Sequence, residues 1–230
     1  MSMLSQGSIP MELDHAALKA RHRNEREGYS PALSLRTHRA LSWLARAERE
    51  GDDHDARFLF LWISFNAAYA NEIHDRKAFT EQAVLRNFLA MLVDLDRDKL
   101  LYSILWEEFP GAVRVLIDNR YVFGPFWDAQ AGRIPADAWL RPFEDNKAWA
   151  HRAMGAMDTA GVLAVVFDRL YTLRNQLVHG GATWNSSVNR NQLRDAVQIL
   201  GRLVPAMLHL MMEHSGRVWG EPSFPVVDRG

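Results

Sequence analysis

The stretch LYTLRNQLVHGGATW, Leu170 to Trp184, places an arginine, an asparagine and a histidine at the end of an otherwise apolar helical pattern. Arg174 offers a permanently charged, planar fork of donors that suits a phosphate. His179 is the residue type whose ring takes up or gives away a proton near neutral pH. Asn175 carries both a donor and an acceptor. Together these types fit proton transfer beside a phosphate group. The spacing of arginine and histidine is uninformative by itself, because Arg49/His54 and Arg202/His209 also have four to six residues between them. Arg49 to His54 crosses the acidic turn REGDDH, and Arg202 to His209 straddles Pro205. Only Arg174 to His179 sits on an unbroken helical pattern that ends in Gly-Gly.

At about 100° per residue, Asn175 and His179 lie roughly 40° apart on one helix face, with Arg174 about 140° from the histidine. The apolar stripe Leu170, Leu173, Leu177 runs nearer the arginine. The asparagine and histidine therefore point away from the core, towards solvent, a neighbouring helix or a second subunit. A purely structural role is also open: a cationic side chain in a last helical turn gains roughly 0.3–1 kcal/mol from the helix dipole, with Asn175 a surface residue.

The elements that must position these residues are helical. Leu163, Val166, Leu170, Leu173 and Leu177 follow spacings of three and four, Asp158 or Thr159 caps the start, and Gly180-Gly181 gives the stop. Upstream, ALSLRTHRALSWLARAERE predicts one helix, and ARFLFLWISFNAAYANEI, apolar on nearly every face, predicts a helix central to a bundle. Further helices are expected over Thr80 to Val93, Asp96 to Glu108, from Pro110 through Asn119, and over Phe143 to Met157. The last long helix carries Leu193, Val197, Leu200, Val204, Leu208 and Met211, with Pro205 expected to kink it. No strand ladder or repeat is evident, so the fold class is all-α. The expected organisation is an N-terminal arm over 1–29, loosely attached apart from a short helix near Ala16 to Glu25. A helical domain follows over 30–214, with an irregular Pro/Gly/aromatic insertion at about 120–142, and then an irregular tail over 215–230.

Composition narrows the chemistry. The 27 basic and 28 acidic side chains nearly cancel, so no global field draws the chain to nucleic acid or a membrane surface, and any such binding is local. Cysteine is absent, which removes thiolate catalysis, disulfides and Cys-based metal sites. His54-Asp55 and His74-Asp75 superficially resemble the metal-binding pairs of HD phosphohydrolases, but no third histidine and aspartate fall into order. No metal and no cofactor are expected. The run FLFLWISFNAAYA is too short to span a bilayer and contains Asn66, and the start lacks a signal-peptide pattern, so a cytoplasmic protein without membrane association is expected. Asn66 reads chiefly as a satisfied core amide, with a weaker reading in which it reaches the active face. Trp62, Phe65 and Tyr69 read as core, while Tyr121, Phe126 and Trp127 suit either binding or covering the bundle.

LRNQLVHGG on the penultimate helix, with LSLRTHRALSWLARAE and FLWISFNAAYANE upstream, resembles the HEPN superfamily, in particular its Apea-like bacterial branch. The resemblance covers Ser30 to about His214 and leaves the insertion and both termini outside. It implies a HEPN-type bundle with a four-helix core and extra helices, and an R-N-x-x-x-H motif at Arg174, Asn175 and His179. It further implies a metal-independent endoribonuclease acting as a homodimer, in a toxin-antitoxin or phage-defence setting. Arg174 and His179 would then be catalytic, with Asn175 and Asn66 in support. The implied partners are a second copy, RNA, and an antitoxin or nucleotidyltransferase. The alternative it leaves open is an inactive HEPN-type module that binds nucleotide, RNA or a protein.

Overall fold

The computed structural model describes residues 13–70, 81–187 and 190–224, and among them every regular element is helical. Ten α-helices run in order: α1 His15–Glu25, α2 Pro31–Glu48, α3 His54–Tyr69, α4 Glu81–Leu95, α5 Leu100–Ser103, α6 Pro110–Asp118, α7 Gly124–Gln130, α8 Leu140–Gly155, α9 Thr159–Val178 and α10 Arg190–Glu213. No described helix is long and apolar enough to cross a membrane. The expected Thr80 cap of α4 and the His74-Asp75 pair lie outside the described residues.

Local chemistry sets most of the starts. Ser30, Asp53 and Asp158 accept from the backbone N–H groups of Leu33, Ala56 and Gly161, each three residues into its own helix. Asp96 performs the same task with both oxygens, accepting from Leu100 and Leu101, and α5 then widens into a single π turn over Ile104–Glu108.

Helix α3 is the centre of the bundle. It packs along α2 and α10 and touches α9, burying Phe58, Leu61, Trp62, Phe65 and Ala68. Its rings continue across the interface: Phe65 lies 4.3 Å from Phe167 of α9, and Trp62 lies 6.2 Å from Tyr171. Helix α10 runs unbroken through Pro205, although proline forfeits the bond to the carbonyl of Gly201.

Three segments depart from the sequence expectation. Over residues 13–29 the N-terminal region is not a loose arm: α1 packs on α2 and α10, with Leu18 and His22 buried. The described part of the tail, residues 215–224, is also tied, because Arg36, fully buried on α2, donates to the carbonyls of Gly220 and Glu221 at 3.1 and 2.8 Å. The same guanidinium donates to the Ala68 carbonyl at the end of α3, and burial pushes its pKa down to about 10. The 120–142 stretch contains helix α7 and forms its own small core of Phe123, Phe126, Ala129, Trp139 and Phe143. Of α8, Phe143 in the first turn belongs to that core, and the helix begins at Leu140, three residues before the predicted start.

Candidate functional site

Helix α9 carries the candidate residues. Val162, Leu163, Val166, Leu170 and Leu173 are buried, and the burial then fades: Arg174, Asn175, Gln176 and Leu177 are half-buried, while Val178 and His179 are exposed. The last turn thus projects beyond the packed body of the bundle. It is closed by a Schellman turn, in which the N–H of Gly181 donates to the carbonyl of Gln176 at 2.7 Å and that of Gly180 to Leu177 at 3.3 Å. Gly180 takes φ +70°, a left-handed conformation that side chains with a Cβ resist. His179 is the capping residue itself, its N–H bonded to the carbonyl of Asn175.

Arg174 does not extend into solvent at random. Its Nη1 donates to Oδ1 of Asn175 at 2.9 Å, which turns the guanidinium towards the face that Asn175 shares with His179. The imidazole of His179 makes no hydrogen bond with any described residue. The site therefore presents a charged fork, an amide that orients it, and an accessible acid-base ring, all on one projecting turn.

The insertion supports this turn from the side. Gln176 Nε2 and Trp127 Nε1 both donate to the carbonyl of Tyr121, at 2.6 and 2.7 Å. Deeper down, Arg169 of α9 is fully buried, with its guanidinium 4.8 Å from the Phe123 ring and 5.8 Å from the Phe143 ring. It donates to Asn146 of α8 and pairs with Asp168 at 3.2 Å. A buried cation thus joins α8, α9 and the insertion, and burial lowers its pKa against the pull of Asp168 and Asp118.

The remaining candidates do not join the site. The ring contacts of α3 with α9 run in opposite order along the two helices, Trp62 to Tyr171 and Phe65 to Phe167, so the helices are antiparallel. Asn66 is therefore level with Phe167, and at 1.5 Å per residue this places it roughly 18 Å along α9 from His179. It is half-buried rather than a core amide, and no hydrogen bond joins it to Arg174, Asn175 or His179. Arg202 is paired with Glu108 at 2.8 Å and His209 is buried beside Arg21, so that Arg-His pair is committed to structure. Asp55 is taken by Arg190 at 2.7 Å, and no group of three potential metal ligands occurs among the described residues.

The antiparallel arrangement brings the start of α3 to the same end of the bundle as the motif. Trp184, just past the Gly-Gly turn, donates to Oδ2 of Asp53, the α3 cap, at 3.1 Å. His54 and Arg57 follow in the first turn, with the Nδ1 and Nε atoms, respectively, buried and without a hydrogen-bond partner. Sequence spacing groups His54 with Arg49 and gives no sign of this neighbourhood; the only available signal is the acidic cap before α3. No family model, curated protein or solved structure matches the chain.

Proposed function

We propose that the chain is a HEPN-type, metal-independent endoribonuclease that works as a homodimer. The observation that carries this reading is the last turn of α9, where Arg174 is steered by Asn175 and His179 stands exposed beside them. The cleavage needs no external nucleophile. The ribose 2′-OH attacks the adjacent phosphorus, its proton passes to a base, and the 5′-oxygen leaves with a proton from an acid, giving a 2′,3′-cyclic phosphate and a 5′-OH end. One His179 supplies one of these two proton-transfer groups, and the partner's His179 supplies the other. Arg174 offsets the charge that gathers on the phosphate oxygens in the transition state.

The surface around the turn suits a second copy. Tyr171 and Val178 on α9 and Trp184 beyond it are large, exposed and apolar, and they flank the polar residues. Covering them in a two-fold contact would bring the two motifs together.

The test is cleavage of a structured RNA in excess EDTA, with a 2′-deoxy version at the cut sites. Activity that survives EDTA and is lost with the 2′-deoxy substrate and with His179→Ala is the expected result. Equal cleavage by the His179→Ala protein overturns the proposal. Saturable RNA binding without any cleavage would instead favour the inactive binding module.

A further inference from the structure

Between α4 and α9 lies a cleft of about 700 Å³. An aromatic recess of about 140 Å³ adjoins it, sharing Gln82, Arg86, Ala164 and Asp168 as lining. This cleft lies back along α9 from the projecting turn and shares with the ribonuclease reading only Tyr171, which walls the recess and is also part of the exposed apolar surface beside the motif.

Its charges are unusual for a surface groove. Arg86 is exposed and makes no hydrogen bond or ion pair with any described residue. Asp168 faces the same space, yet its ion pair is with Arg169 rather than with Arg86. Burial pushes the Asp168 carboxyl up, against the pull of Arg169 and Arg86. A cation and an anion therefore line one opening without neutralising each other directly. The recess beside them is walled by Trp62, Phe167, Tyr171 and Leu85. On the other side, Asp158 and the amide of Asn146 line the larger lobe, and Trp149 closes over the start of α9. That closure needs Gly161, since a Cβ there would come within 2.9 Å of the Trp149 ring.

Charge decides among ligand classes. A phosphorylated ligand would meet Asp158 and Asp168 against Arg86 alone among the lining arginines. A polyamine would meet Arg86. A ligand with one charge of each sign satisfies both groups, and an aromatic body fills the recess. We propose that this cleft binds a small aromatic zwitterion of the free amino-acid type. Arg86 takes its carboxylate, Asp168 its ammonium group, and the recess between Trp62, Phe167 and Tyr171 its ring. The binding is non-covalent.

Calorimetric titration of the full chain with L-phenylalanine and L-tryptophan tests this, with guanosine monophosphate and spermidine as comparators. Saturable binding of at least one amino acid is expected. Phenylethylamine, which lacks the carboxylate, and phenylpropionate, which lacks the ammonium, are expected to bind at least about 10-fold more weakly. Arg86→Gln is expected to weaken amino-acid binding by at least about 10-fold while leaving the fold intact, because the exposed side chain makes no hydrogen bond or ion pair with any described residue. Three results overturn the proposal: no saturable binding of either amino acid at about 10 mM, unchanged binding by Arg86→Gln, or preferential binding of the nucleotide or the polyamine. None of these readouts involves RNA cleavage, so this inference and the ribonuclease reading fail separately.

Discussion

Arg174 and Asn175 are neighbours in sequence on a helix, a spacing at which side chains diverge, yet Nη1 of the arginine donates to Oδ1 of the asparagine at 2.9 Å. The long arginine stem bends round the helix to make this contact, and the amide fixes where the guanidinium fork points. Under the proposed function, Asn175→Ala leaves the charge in place but frees its position. Cleavage is expected to fall by about 10-fold, whereas Arg174→Ala removes the charge itself and is expected to cost about 100- to 1,000-fold. Single-turnover rates on one RNA substrate check the order. Equal losses in the two variants would show that Asn175 acts on substrate rather than through Arg174.

Three histidines hold α1 in place in their neutral form. Arg21 Nη1 lies 3.0 Å from Nδ1 of His209, and Lys19 Nζ lies 3.4 Å from Nδ1 of His38. Arginine and a protonated lysine can only donate, so both ring nitrogens must accept and carry no proton. His22 directs Nε2 to the carbonyl of Ser34 and buries Nδ1 without a partner. Burial lowers the pKa of all three, and cations add to it: Lys19 and Arg26 beside His22 and His38, Arg39 beside His38, and Arg21 beside His209. Glu213, Asp98 and Glu25 oppose the shift at His209 only in part. These groups therefore bind protons more readily in the unfolded chain. Their stabilisation is complete above the usual histidine range near pH 6.5 and is lost as pH falls below it. Denaturant unfolding is expected to show a lower midpoint at pH 5 than at pH 7.5, with faster amide exchange in α1. A His22→Leu, His38→Gln, His209→Gln variant is expected to flatten that dependence.

Helix α9 was readable because its signals are local: an aspartate cap, leucines at three and four, and a Gly-Gly stop. The outward face of Asn175 and His179 follows from the same periodicity. Arg36 and Arg169 were not readable, since arginine usually sits at the surface and nothing nearby in sequence marks them. Arg36 bonds backbone carbonyls 184 and 185 residues away, and Arg169 lies against Phe123 of the insertion and Phe143 of α8. The contacts of Arg36 explain why the tail reads as loose, and the packing of α1 on α2 and α10, equally distant in sequence for α10, does so for the arm. The place of Asn66 is not legible for a different reason: periodicity assigns a face to a residue but not the direction in which the next helix runs past it.

The Arg169 cluster makes the insertion part of the bundle's stability. Removing the guanidinium while leaving its surroundings abolishes the bond to Asn146, the pairing with Asp168 and the packing against Phe123 and Phe143. Arg169→Ala is expected to destabilise the fold by about 3–5 kcal/mol in urea titration. Arg169→Met retains volume between the rings and is expected to recover part of that loss, because the buried charge goes together with its desolvation cost. A loss below about 1 kcal/mol for the alanine variant would place the insertion outside the cooperative unit.

Gly180 links the helix stop to the chemistry. At φ +70° it forms the left-handed step of the turn, and its added Cβ would meet no neighbouring atom within 4 Å. A Gly180→Ala change therefore acts through backbone conformation alone, at an expected cost of about 1–2 kcal/mol. That cost is relieved if the last turn of α9 frays, and the residue that frays first is the cap, His179. Cleavage is accordingly expected to drop more than global stability does, with rates reduced by about 10-fold in a protein that remains fully folded at 25 °C. Gly180→Asn tolerates the left-handed conformation better and is expected to restore most of the rate. Paired unfolding and single-turnover measurements on the two variants distinguish a loss of His179 placement, which asparagine rescues, from a steric effect of any side chain at this position.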